Sequence, residues 1–411
     1  MPGRIAVLCT LDTKGEHARF VGERIAARGH LPVYLDIGVL DAPAFAPDVS
    51  RSEIAAAAGG EVAELARSHD RGKALDVMSR GAAAVVGRLH AAGALDGVLG
   101  IGGGSGTAVA TAAMRALPVG VPKLMVSTMA ASGKAASYVG TRDIVMSNTI
   151  TDVVGMNDLL RSVLSNAAGA ICGMVEMGSS PVAARGEARR AVAITAFGVT
   201  TPAVLRCRDL LADAGFETLV FHANGTGGRA MEELVAQGVI DAVLDLTTTE
   251  LADELCGGLL SAGATRLDAA GARALPQVVL PGAMDMVNFA TPDTVPQRYA
   301  GRRLYRHSPN TTLMRTSVAE NAALGRCVGA KLARARRRPA LVLPTRGFSE
   351  YDREGGVFWD PDADAAFMDA AVEALGGAGS VIRVDANVND LACVDVAVEQ
   401  LLQACAEAWR G

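Results

Sequence analysis

The run Gly102-Gly103-Gly104-Ser105-Gly106-Thr107 combines four glycines with two hydroxyls. Glycine lets backbone N–H groups come close to an anion, and a helix opening from such a run aims its positive end at the same point. That is phosphate-binding chemistry, with Ser105 and Thr107 as hydroxyl donors. No Lys follows as it would in a Walker A loop, and the spacing is not that of GxGxxG. Thr10-Leu11-Asp12-Thr13-Lys14-Gly15-Glu16 offers Lys14 as a phosphate counter-charge and Asp12 as a metal or ribose partner. Asp12 or Thr13 would equally serve as a helix N-cap there. Ser127 and Thr128 end a further expected strand and add hydroxyls at the same edge. Thr128–Ala135 nearly spells a Walker A, but Thr128 replaces the first Gly and Ala135 replaces the magnesium-holding Ser/Thr, so it is set aside as a P-loop.

A second constellation lies downstream. Phe221-His222-Ala223-Asn224-Gly225-Thr226-Gly227-Gly228-Arg229-Ala230 reads as strand, glycine loop and helix start. Gly225, Gly227 and Ala230 satisfy G-x-G-x-x-A, and Asp245 follows 20 residues after Gly225, a weak dinucleotide-type match. Because Asp245 and Glu250 flank this loop, a triphosphate would be repelled unless a cation intervened, and a separate anion, smaller or bridged by magnesium, is the expected ligand. Arg229, Arg346 and His307 are the counter-charges available to it. His222, Asp245, Glu250 and Asp285 are candidates for acid/base or metal-assisted catalysis in one cleft, each equally readable as a cap or a structural hydrogen-bonding group.

The elements that must position these loops follow from the hydrophobic pattern. In the first half, strands are expected at Ile5–Cys9, Pro32–Ile37, Leu95–Ile101 and Lys123–Ser127. Helices are expected between them at Glu16–Arg28, Lys73–Ala92 and Gly106–Ala116. In the second half the expected strands are Ala191–Ala196, Thr218–His222, Ala242–Asp245, Gln277–Leu280, Ala340–Leu343 and Ser380–Asp385. Helices Pro202–Ala214, Arg229–Gln237 and Leu391–Ala408 accompany them. Continuously apolar strands alternating with helices imply parallel sheets covered on both faces. The expected fold is α/β, with two doubly wound, Rossmann-like parallel-sheet domains and an interdomain cleft. A Gly/Pro/Arg-rich stretch without hydrophobic period puts the boundary between residues 1–183 and 184–411. The halves open alike: an offset of 186 lays Ile5 on Ala191, Gly29 on Gly215 and Asp36 on His222.

Composition narrows the classes. The 411 residues are 50% hydrophobic and 20% charged, which makes intrinsic disorder untenable. A net charge of −5 and 4% aromatics argue against a nucleic-acid partner. The cluster Arg334, Arg336, Arg337 and Arg338 reads as the basic last turn of a helix stopped by Pro339. Seven separated cysteines without a CxxC pair point to reduced thiols and a cytoplasmic location rather than a disulfide framework or zinc site. Asp12 and Lys14 interrupt the first apolar run too early for a signal peptide, and no stretch reaches the 18 apolar residues of a membrane span.

Several motifs together resemble the UPF0261 family: Leu11-Asp12-Thr13-Lys14, Gly102–Thr107, Phe197-Gly198-Val199-Thr200-Thr201-Pro202, Phe221–Glu232, Asp245–Glu250, the run Pro281–Phe289, and Pro344-Thr345-Arg346-Gly347-Phe348-Ser349. That family is similar to the N-terminal, ATP-binding part of the tomato mosaic virus resistance protein Tm-1. The resemblance implies a two-domain chain that binds ATP, with or without magnesium, and matches Gly102–Thr107 to phosphate binding. It does not carry over the inhibition of a viral helicase. Three readings follow. One is an ATP-binding enzyme acting on a small acidic or phosphorylated substrate. Another is a non-enzymatic homo-oligomer with ATP as stabilising or regulatory ligand. The third is an NAD-dependent enzyme using the second loop.

Overall fold

A computed structural model describes residues 2–178 and 189–410. The chain divides into two compact units, Met1–Arg185 and Gly186–Gly411. The boundary expected between 183 and 184 lies outside the described residues.

In the first unit, β1 (Arg4–Cys9), β2 (Leu31–Asp36), β3 (Gly97–Gly102), β4 (Lys123–Ser127) and β5 (Val145–Asn148) form a parallel sheet in the order β2-β1-β3-β4-β5. Successive side chains of a strand face opposite layers, and both layers here are apolar. Ala6 and Leu8 of β1 pack with the helices Arg51–Ala57, Arg71–Ala91 and Gly104–Arg115. Ile5, Val7 and Cys9 pack instead with the helices Leu11–Ala27 and Asp158–Glu176. Two-sided burial is why the strands read as unbroken hydrophobic runs.

The second unit repeats the opening. Its strands β6 (Ala191–Ala196), β7 (Glu217–His222), β8 (Ala242–Thr247) and β9 (Gln277–Gly282) come first. A three-stranded antiparallel sheet follows, made of β10 (Met286–Phe289), β11 (Leu304–Ser308) and β12 (Thr311–Arg315). Then β13 (Ala340–Pro344) and β14 (Ser380–Val384) complete a six-stranded parallel sheet in the order β7-β6-β8-β9-β13-β14. Within each unit the first four parallel strands therefore run in the order 2-1-3-4, which puts the topological switch point between the first and third. The offset of 186 survives in β2 and β7, and the turn before each is a glycine in the left-handed region, Gly29 at φ 85° and Gly215 at φ 89°.

Three expectations need correction. The first helix starts at Leu11, so most of the loop expected at 10–16 is its opening turn, kinked at Lys14 (φ −132°, ψ 21°). The antiparallel sheet was not anticipated, because strands of four and five residues carry too little periodicity. The arginine cluster follows the helix Val318–Ala333 rather than closing it: Arg337 donates to the carbonyl of Ala274, and Arg338 to those of Gly377 and Gly379.

Candidate functional site

In the first unit, the turns after β1, β2 and β3 meet at the carboxyl edge of the sheet around a cavity of about 400 Å³. Open α/β sheets bind ligands at this position, beside the switch point. Thr10, Asp12, Thr13, Ser105 and Gly106 line its sheet side, and Leu65, Ala74, Leu75 and Met78 from two helices give it an apolar wall. Of the residues expected to bind nucleotide, Asp12, Thr13, Ser105 and Gly106 therefore share the cavity, whereas Lys14 and the adjoining Gly102, Gly103 and Gly104 are not in its lining. Thr107 and Ser127 are fully buried and hydrogen-bonded to each other at 2.6 Å, so these two hydroxyls tie the helix to β4. Thr128 is half-buried beside the loop, its hydroxyl 3.8 Å from where a Cβ on Gly103 would lie.

The glycines of this loop are not equivalent. A Cβ on Gly102 would come within 2.9 Å of the Gly106 backbone, so packing accounts for it. On Gly103 and Gly104 the nearest atoms would be 3.8 and 3.9 Å away, and neither residue has a positive φ. Neither strain nor crowding within the chain requires glycine at these two positions. Gly103 is the N-cap of the helix Gly104–Arg115 and supplies no side-chain cap, so the first N–H groups of that helix are left without an intrahelical partner.

Three residues that the sequence reading did not single out as ligands, Asp36, Arg51 and Arg71, complete the edge. Asp36, at the end of β2, accepts from the N–H groups of Leu11 (3.1 Å) and Gly38 (3.0 Å) and from Arg51 (2.6 Å), all in buried surroundings. Arg51 also lies 3.4 Å from Asp12, whose carboxylate accepts from Leu40 N–H at 3.3 Å. Asp12 is thus held in an internal ion pair. Arg71, the first residue of its helix, donates to the Ser105 hydroxyl through Nη2 (2.6 Å) and Nε (3.2 Å).

The second glycine loop has the same order of elements and a different content. Glu250, fully buried, accepts from the N–H groups of Gly225 (2.7 Å) and Gly228 (3.1 Å) and pairs with Arg266 at 2.6 Å. The anion position of this loop is filled by the chain's own carboxylate. Packing accounts for all three glycines. A Cβ on Gly225 would lie 2.7 Å from the Ser261 carbonyl, one on Gly227 would collide with the His222 carbonyl, and one on Gly228 with Glu250. Asn224 accepts from Gly227 N–H at 3.0 Å and closes the turn before the helix Thr226–Ala236, whose first turn contains Arg229. Asp245 is also fully buried, gripped by two nitrogens of Arg266 (2.5 and 2.6 Å) and by the Thr195 hydroxyl (2.8 Å). Glu232 completes the cluster 3.3 Å from Arg266, and burial holds its carboxyl above the usual range.

The four candidate catalytic side chains do not meet in one cleft. Asp245 and Glu250 share Arg266. Asp285 is buried elsewhere, accepting from Ser349 at 2.8 Å near Arg315, Asp352 and Asp364, and burial pushes its carboxyl up to about 7. His222 is exposed, with Nδ1 3.1 Å from the Ala196 carbonyl. Arg346 is exposed and paired with Asp385 at 2.7 Å, and His307 lies 2.9 Å from the Tyr351 hydroxyl. The carboxyl edge of this sheet is covered, since Val199 after β6 packs with Met286 and Leu313 of the antiparallel sheet and with Phe358. Among the described residues no group of three His, Cys, Asp or Glu side chains is placed to hold a metal ion, and no helix is long and apolar enough to cross a membrane.

The comparisons with known proteins agree with this division. Residues 3–180 match "Uncharacterised protein family (UPF0261) N-terminal domain", and residues 189–405 match "Uncharacterised protein family (UPF0261) C-terminal domain". A UPF0261 protein of Clostridium tetani is 43% identical over 95% of this chain and 96% of its own length. Another, from Rhizobium meliloti, is 43% identical over 96% and 97%. The tomato (Solanum lycopersicum) ToMV susceptible protein tm-1(GCR26) is 36% identical over 88% of this chain, which spans half of that protein's length.

Proposed function

Because the chain belongs to the UPF0261 family, we propose that its first unit binds ATP in the cavity at the carboxyl edge of the β2-β1-β3-β4-β5 sheet. The phosphates lie against the backbone of Gly103, Gly104 and Ser105, and the base lies toward Leu65, Leu75 and Met78. The observation that carries this reading is the pair Gly103 and Gly104: glycine is present where neither backbone strain nor packing calls for it, beside an uncapped helix N-terminus. Asp12 is already paired with Arg51, so magnesium comes with the phosphates rather than from a cage of protein carboxylates. The function assigned is nucleotide binding. An NAD site on the second loop would need the Gly225 and Gly228 N–H groups and a free Asp245 carboxylate, and all three are engaged internally. The same reading takes the protein to be cytoplasmic, a setting that its free and mostly buried cysteines suit, and to self-associate.

The test is calorimetric titration of the full chain with ATP, ADP and NAD, each with and without magnesium. The reading expects binding of the adenine nucleotides with one site per chain and none of NAD at the second loop. No heat and no thermal shift with millimolar ATP would reject it.

A further inference from the structure

Arg71 stands in an electrostatically unfavourable place. It is the first residue of the helix Arg71–Ala91, and its guanidinium reaches across to Ser105 in the first turn of the helix Gly104–Arg115. Cations are disfavoured at helix N-termini, and this one sits on two. It forms no ion pair among the described residues: the neighbouring carboxylate, Asp70, caps the helix by accepting from Lys73 N–H at 2.9 Å. The Ser105 hydroxyl accepts twice from Arg71, so its one proton is left to donate elsewhere. A guanidinium, a hydroxyl proton and the uncapped first turn of a helix thus lie side by side at the cavity, which Arg71, Ser105 and Gly106 all line.

We propose that Arg71 is the residue that reads the ligand's phosphate, turning from Ser105 onto an anionic oxygen while Ser105 donates to the same group. This rests on the nucleotide reading above and makes it specific: the ligand class is a nucleoside phosphate, and the bare nucleoside gains nothing from Arg71. A guanidinium presents a planar fork of donors that an ammonium does not, so Lys replaces it only in part.

The experiment compares affinities of the wild-type chain and the variants Arg71→Ala, Arg71→Lys and Lys73→Ala for ATP, AMP and adenosine. Arg71 and Lys73 are both exposed, so the variants retain the fold, which the unliganded melting temperature checks. The expected result is a loss of about ten- to a hundredfold in ATP and AMP affinity for Arg71→Ala. Arg71→Lys falls between, Lys73→Ala matches the wild type, and adenosine binds all four alike. If Arg71→Ala binds ATP as tightly as the wild type, Arg71 does not read the phosphate and the nucleotide site stands without it. If Lys73→Ala loses as much as Arg71→Ala, the effect is general surface charge and the inference fails. If the wild type binds no nucleotide, the reading of the site falls and this inference with it.

Discussion

The loop at 102–107 follows the third strand of the first unit's sheet and the loop at 222–229 the second strand of the second unit's sheet, yet only in the second does the chain fill the cradle itself. In the second, Glu250 occupies the place of an anion, Arg266 neutralises it, and each glycine is packed against the chain. In the first, a Cβ on Gly103 or Gly104 would meet only a hydroxyl at ordinary contact distance, and the cation beside the loop, Arg71, pairs with no carboxylate among the described residues. A glycine-rich turn before a helix is therefore an anion cradle in both cases. What decides between structure and function is whether the chain supplies the anion itself.

The largest contrast between the units is expected in their response to pH. Burial pushes Asp253 and Asp285 in the second unit up to about 7, well above the value of about 4 they have in an unfolded chain. Below about pH 4 both are protonated folded or unfolded. Between about 4 and 7 the folded state holds protons that the unfolded state has released, so stability declines as pH rises through this window, by about 1.4 kcal/mol for each unit a carboxyl is held up. Both tryptophans, Trp359 and Trp409, lie in the second unit, so denaturant unfolding followed by their fluorescence reports on it. The midpoint should be lower at pH 8 than at pH 5, and an equal or higher midpoint at pH 8 would refute the prediction.

Emptying the filled cradle comes next. Glu250→Ala leaves Arg266 short of one partner and strands two buried N–H groups, at a cost of about 3–5 kcal/mol in the same fluorescence-monitored unfolding. A loss under about 1 kcal/mol would mean that the carboxylate is not the loop's internal anion.

The paired valine substitutions give the sharpest contrast. Gly227→Val collides with the His222 carbonyl and should destabilise the second unit, whereas Gly104→Val places its Cβ only at ordinary contact distance from the Tyr138 hydroxyl and should fold normally. Gly104→Val should nonetheless weaken ATP binding at least about tenfold, or about 1.4 kcal/mol, because the branched side chain fills the phosphate's approach. Undiminished ATP affinity in Gly104→Val would return these glycines to a packing role.

The parallel sheets were legible because two-sided burial writes strands as unbroken apolar runs, such as Ile5–Cys9 and Ala191–Ala196. Both glycine loops were visible for the same local reason. Their contents were not. Glu250 reaches back 25 residues to Gly225, and Arg266 closes the cluster from a further turn, so nothing local distinguishes a caged acid from a catalytic one. Arg71 lies 34 residues before Ser105, outside any motif. An unexplained cation at a helix start was the available signal. Strands β10 to β12, which cover the second sheet's edge, are too short to betray themselves by alternation.

Backbone amide resonances of Gly103, Gly104 and Ser105, compared with those of Gly225 and Gly228 while ATP is titrated into the full chain, test the comparison at the atoms concerned. The account predicts saturable shifts at the first three amides and none at the second two, whose N–H groups stay on Glu250. Shifts at Gly225 and Gly228 with Gly103–Ser105 silent would contradict it.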